Sequence, residues 1–241
     1  GYYEQIVTAV GTKTERSLNQ IGASISVIDR EKIERQMSRD IADVVRYEPG
    51  VSVAGTGSRF GLAGFNIRGI EGNRVLTVVD GIRVADEFSF GPFLSARRDF
   101  VDVDSLEVVE IARGPISSLY GSDALGGVVS MTTRTPQSYL TGGDGFAANV
   151  KAGYSGDDNS LVGALNLALG DETIAGLLSY TKRSSEETET NGISGGVAQA
   201  REEADPQDAE VDNISFKLFY SPAENHDLSL IHISEPTRQS L

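Results

Sequence analysis

Apolar and polar residues alternate strictly in four segments of the second half of the chain. In the first, Phe146, Ala148, Val150, Ala152 and Tyr154 make one face, and Ala147, Asn149, Lys151 and Gly153 make the other. Leu161 to Leu169, Ile174 to Tyr180 and Ile214 to Tyr220 repeat the arrangement. A period of two predicts β-strands with one apolar face and one small or polar face. Gly170-Asp171-Glu172 predicts a tight turn and Ser221 to Asn225 a short one, whereas Ser184 to Glu210 is long and acidic. A fifth strand is expected from Asp227 to Ile231, with Tyr154, Tyr180 and Tyr220 each at a strand end. Soluble sandwiches and membrane barrels both use such strands. In a barrel the apolar face meets lipid, tyrosines form a girdle at the interfaces, and one set of loops is long.

The first half is patterned differently. Residues 1–14 have no periodic face and read as an extended arm with a short β-prone run, Ile6 to Ala9. Ser24 to Ile28 predicts a strand. Asp29 is placed to cap a helix carrying Ile33 and Met37, and Ser38 a second helix with Ile41, Val44 and Val45, which Pro49-Gly50 ends. Val51 to Ala54 and Phe65 to Ile70 predict strands around the glycine-rich loop Gly55 to Gly64. Val75 to Val79 and Ile82 to Val84 flank Asp80-Gly81, a hairpin signal because both turn residues tolerate positive φ. The irregular stretch Ala85 to Phe100 follows. From Val109 the chain reads as a strand broken at Gly114-Pro115, a helical turn from Pro115 to Gly121, and a second strand emerging from Gly126-Gly127. Residues 15–138 therefore predict an α+β unit, and residues 139–233 an antiparallel β unit.

Composition narrows the function. The net charge of −14 excludes a nucleic-acid partner, which needs a basic face. The absence of Cys removes disulfides, thiol catalysis and thiolate metal sites. No apolar run approaches the roughly 20 residues of a membrane-spanning helix, which leaves a barrel open. There is no Ser/His/Asp set, metal-binding His pair or phosphate loop, and Gly55-Thr56-Gly57 lacks the spacing of a dinucleotide fingerprint. No catalytic residue, metal ligand or bound cofactor is expected. The acidic loop from Glu186 to Asp212 reads as a solvated external loop.

Two motifs carry a resemblance. NIRGIEGNRVLTVVDGIRV (Asn66 to Val84) and VEIARGPISSLYGSDALGGVVSMTT (Val109 to Thr133) resemble the central and closing motifs of the plug domain of TonB-dependent outer-membrane receptors. EQIVTA (Glu4 to Ala9) resembles a TonB box. The resemblance implies an α+β plug followed by the first antiparallel strands of a transmembrane β-barrel, which in the family has about 22 strands with the plug folded inside. It also implies a place in the outer membrane of a Gram-negative bacterium, with no signal peptide visible here: Gly1 follows its removal or the record is incomplete. The end, Ile231 to Arg238, resembles translated sequencing adapter, so residues 234–241 are read as a non-native tail of a truncated gene fragment.

The family assigns roles residue by residue. Glu4, Gln5, Ile6, Val7, Thr8 and Ala9 would pair with TonB as an added strand. Arg68 and Arg113 match the arginines of the two plug motifs and would lock the plug to carboxylates of the barrel wall, a task suited to a permanently charged fork of donors. Arg59 and Phe60 in one apical loop, and Phe88, Phe90 and Phe93 in the other, would meet ligand. DEFSFGP, RRDFVDVDSLEVVEI and SSLYGSDALGGVV are most similar to the haem, haemoglobin and transferrin branch. The implied function is active import of an iron-bearing ligand, haem or a haem protein first and a ferric siderophore as the alternative, with TonB, outer-membrane lipid and the ligand or its host protein as partners. The reading of another class is a plug-like binding or signalling module without transport. The plug departs from the haem-binding pattern in having no His; His226 is expected in a short turn and His232 in the tail.

Overall fold

In a computed structural model of the chain, the described residues are 7–8, 16–17, 24–55, 62–84, 89–90, 94–95, 101–114, 124–141, 145–156, 158–186, 208–223, 226–234 and 237–240. Two compact units divide at Thr133. This precedes the composition change at Tyr139, because the 3-10 turn Pro136–Ser138 rests against strands of the second unit.

Short strands β1 (Val7–Thr8) and β2 (Arg16–Ser17) pair antiparallel in the arm. Then come β3 (Ser24–Asp29), α1 (Arg30–Arg35), α2 (Ile41–Val45), β4 (Val51–Gly55), β5 (Leu62–Ile67), β6 (Val75–Val79), β7 (Ile82–Arg83), β8 (Ser89–Phe90), β9 (Leu94–Ser95), β10 (Leu106–Arg113) and β11 (Gly127–Thr133). Five of these strands form the sheet β3-β10-β11-β6-β7, and only β11–β6 is parallel. β4 pairs with β5, and β8 with β9.

The period-two alternation divides the core between the two faces of the sheet. Ile28, Val109, Ile111 and Val129 pack with Ile33 of α1 and with Val44 and Val45 of α2. Ala112, Val128, Leu76 and Val78 form a smaller cluster with Ala124. Gly126 and Gly127 are required by close approach. A Cβ on Gly127, where φ is +149°, would meet the Ala112 carbonyl oxygen at 2.4 Å, and one on Gly126 would meet Ile70 at 2.7 Å.

Local details correct several expectations. Asp29 caps α1 by accepting from the Lys32 amide, as expected. The helix stops at Arg35, however, and Met37 lies beyond it at φ +49° with its side chain exposed. The cap of α2 is Asp40, whose carboxylate accepts from the Asp43 amide, and not Ser38, which is buried just upstream. A carboxylate two residues nearer the first turn wins the position. β5 runs from Leu62 to Ile67 and not from Phe65 to Ile70, because Arg68 and Gly69 both take positive φ and turn the chain. The Asp80-Gly81 turn is as expected, with positive φ at both residues. The helical turn expected at 115–121 lies outside the described residues.

The second unit is an antiparallel sheet, β12 (Phe146–Ser155), β13 (Ser160–Gly170), β14 (Ile174–Ser185), β15 (Asp208–Ala223) and β16 (His226–Ser234), with β17 (Thr237–Ser240) also paired to β15. The Asp171 carboxylate ties the β13–β14 turn by accepting from the amides of Thr173 and Ile174, which hold its carboxyl below the usual aspartate range. His226 begins β16 and does not lie in a turn. Tyr154 stands at the end of β12, but Tyr180 stands inside β14, which continues to Ser185.

Candidate functional site

The burial pattern of the strand unit is inverted relative to a soluble sheet. Val150 is 74% exposed and Leu165, Leu178 and Phe216 are exposed too, whereas Ala168 is fully buried and Lys217 only 3% exposed. The buried face carries Asn166, Ser179, Thr181, Asn213 and Ser215. A soluble sandwich buries its apolar face, and a membrane barrel turns it outward to lipid. This settles the alternative that alternation alone left open. β12, β13 and β14 have 10, 11 and 12 residues, enough to cross a hydrocarbon layer at a tilt. The short β13–β14 and β15–β16 connections share one end of the sheet, and the long connection between β14 and β15 lies at the other.

The two motif arginines have different surroundings. Arg113, at the end of β10, is buried. Its Nη2 lies 3.2 Å from Glu48 Oε2 and donates to Ser26 Oγ at 2.8 Å, and its Nε donates to the Pro49 carbonyl at 3.1 Å. Glu48 is buried as well, and its other oxygen accepts from Lys32 Nζ at 2.6 Å. Burial disfavours the Glu48 carboxylate, but hydrogen bonds from Lys32 and Ser26 and the charges of Lys32 and Arg113 outweigh it, and its carboxyl is held below the usual glutamate range. The partners of Arg113 in this structure are thus within its own unit, and these contacts differ from the barrel-wall pairing that the resemblance implies. Arg68 is exposed, at φ +52°, and its amide donates to the Gly50 carbonyl at 2.8 Å. Among the described residues its guanidinium has no carboxylate partner.

Sequence reasoning passed over Glu48, Lys32 and Ser26. One signal was present: an acid just beyond the C-terminal end of a helix opposes the helix dipole, so it needs another reason to be there. A second polar junction was also missed. The Asp80 carboxylate accepts from the Thr133 amide at 2.7 Å and from its hydroxyl at 2.5 Å, so the hairpin turn fastens the end of β11.

Of the other expected site residues, Val7 and Thr8 lie in β1, paired with Ser17 and Arg16. Phe90 lies in β8, opposite Leu94. Glu4, Gln5, Ile6, Ala9, Arg59, Phe60, Phe88 and Phe93 lie outside the described residues. No group of His, Cys, Asp or Glu among the described residues is arranged to hold a metal ion.

Comparison with known proteins agrees with this architecture. Residues 17–128 match the TonB-dependent receptor plug domain. The chain is 36% identical over 208 residues to the probable hemoglobin and hemoglobin-haptoglobin-binding protein 4 of Haemophilus influenzae, covering 81% of this chain and 20% of that protein. It is 32% identical over 241 residues to hemoglobin-binding protein A of the same organism, covering 94% and 24%. The chain thus spans about a fifth to a quarter of the length of these relatives. Among solved structures, the Serratia marcescens hemophore receptor HasR aligns over 91% of this chain and 32% of its own, with a TM-score of 0.76 and 23% identity. The siderophore receptor PirA of Acinetobacter baumannii aligns over 89% and 32%, with a TM-score of 0.67 and 23% identity. A plug sheet followed by strands with an outward apolar face is the architecture these proteins share, and the chain belongs to the TonB-dependent receptors, of which it carries the plug domain and early barrel strands.

Proposed function

We propose that this chain is the plug and the first part of the barrel of an outer-membrane importer that takes up haem or a haem protein with energy delivered by TonB. The observation that carries the transport reading is the joining of a plug to a sheet whose apolar face is turned outward, because a free-standing binding or signalling plug needs no lipid-facing strands. Similarity to haemoglobin-binding relatives at 32–36% identity supports the cargo. Likeness to a siderophore receptor supports the ferric-siderophore alternative only at the level of fold.

In this reading the arm is the energy input. β1 already uses one edge to pair with β2, and TonB would add a strand at the other. The exposed Arg68 is the motif arginine that would reach a carboxylate of the barrel wall. The loops around Arg59 and Phe60, and around Phe88, Phe90 and Phe93, would face the ligand. The plug carries no His, so an axial imidazole for haem iron would come from the barrel's external loops.

The test is growth of a haem-requiring Gram-negative host that expresses the full-length receptor with haemoglobin as the sole haem source. Ile6→Pro should abolish growth and spare surface binding of haemoglobin, because proline removes a strand donor. Uptake of a ferric siderophore without uptake of haem would transfer the reading to the alternative cargo.

A further inference from the structure

The buried charge cluster around Glu48 sits at a particular place in the chain. β3 is an edge strand, held on one side only, by β10. It is also the first strand of the plug sheet after the arm, and its first residue, Ser24, pairs with Arg113. Tension entering through the arm therefore reaches the Ser24–Arg113 rung before the rest of the sheet. At that same end, Arg113 donates to the Ser26 hydroxyl, Ser26 in turn bonds to Glu48, and Glu48 holds both Arg113 and Lys32 of α1. One buried carboxylate thus ties together the edge strand, the helix that follows it and the central strand β10.

Backbone rungs of an edge strand are individually weak once water can replace them, whereas hydrogen bonds to charged groups are about twice as strong and lose more when broken. A charge-assisted cluster at the loaded end changes how the strand yields. Without it β3 would fray gradually from Ser24; with it the first rungs hold until the cluster opens, and the strand then leaves together with α1.

We infer that Glu48 is the hub of a clasp that fastens β3 and α1 to Arg113 at the point where pulling force enters the plug, so that opening this clasp is the first step of plug remodelling. The clasp rests on the reading that TonB pulls the arm, but its mechanics belong to the plug itself. Glu48 is a positioning residue for the Arg113 guanidinium and does not touch ligand.

The experiment is single-molecule pulling of the full-length receptor in lipid nanodiscs through a handle on the N-terminal arm, comparing the native protein with Glu48→Gln, Ser26→Ala and the control Thr133→Val, which lies in the plug away from the clasp. At fixed force, the first unfolding event should speed up by on the order of tenfold in Glu48→Gln and several-fold in Ser26→Ala, the scale of losing one hydrogen bond to a charged group. Thr133→Val should leave that event unchanged. Ser26→Ala keeps every charge in place and so remains informative where Glu48→Gln misfolds. An unchanged first event in both clasp variants, or equal acceleration in the control, overturns the clasp. Because the handle replaces TonB, this outcome is independent of whether Ile6→Pro abolishes uptake.

Discussion

The carboxylate of Glu48 and the guanidinium of Arg113 lie 3.2 Å apart, both buried, although 65 residues separate them in the chain. Removing one member of a buried ion pair leaves the other charged and unpaired, which costs about 3–5 kcal/mol, more than the pair itself contributes. Arg113→Ala is therefore expected to destabilise the plug by that amount, and Glu48→Gln, which keeps the shape and some hydrogen bonding, by less. Amide exchange at Ile25 to Val27 in the full-length receptor reads both. Equal exchange in Arg113→Ala and the native protein would show that the pair is mechanically idle.

The same pair predicts a pH dependence. The Glu48 carboxyl titrates lower in the folded plug than in the unfolded chain. Its contribution is then fully present above the ordinary glutamate pKa of about 4.3 and is lost as pH falls through the lower folded value. Protection of β3 should fall with acidification below about pH 4.3, and Glu48→Gln should flatten that fall. A steep loss already near neutral pH would point to another group.

Asp80 offers a stability test remote from the clasp. Asp80→Ala removes the acceptor for both the amide and the hydroxyl of Thr133, at an expected cost of about 1–3 kcal/mol. Exchange protection along β11 should drop while that of β3 is kept.

Gly127→Ala should be among the most damaging small changes in the plug. The added methyl would meet the Ala112 carbonyl at 2.4 Å at a backbone φ of +149°, so β10 and β11 would have to separate. A cost of about 1–3 kcal/mol from overpacking, plus strain, is expected. Protease sensitivity of the plug in folded receptor measures it.

The sheet faces predict opposite responses to charge. Leu165→Arg places a charge on the outward apolar face, at about 2–4 kcal/mol if near the bilayer midplane, and should lower the folded fraction in outer membranes. Ser215→Asn on the opposite face should be tolerated. Heat-modifiable migration on gels distinguishes folded from unfolded barrel, and equal tolerance on both faces would contradict the lipid-facing assignment.

Much of this was written in local sequence. Strand alternation, the Asp29 cap, the Asp80-Gly81 hairpin and the Gly126-Gly127 approach each depend on residues within a few positions of one another, which is the range over which backbone propensity and side-chain period act. The two plug motifs named the family for the same reason. Boundaries set by competition were less legible: Asp40 displaced Ser38 as a cap, and Arg68 turned out of the strand at positive φ.

What alternation could not say is which face meets water, since period two is the same in a sandwich and a barrel; only the assembled sheet, with Val150 out and Lys217 in, decided it. Nor could local pattern pair Arg113 with Glu48. That contact needs β3, α1, the turn before Pro49 and β10 to be brought together by the hydrophobic core, and a charge buried there is tolerable only because its partners arrive with it. The sequence determined the elements and the family, and tertiary packing decided where the charges meet.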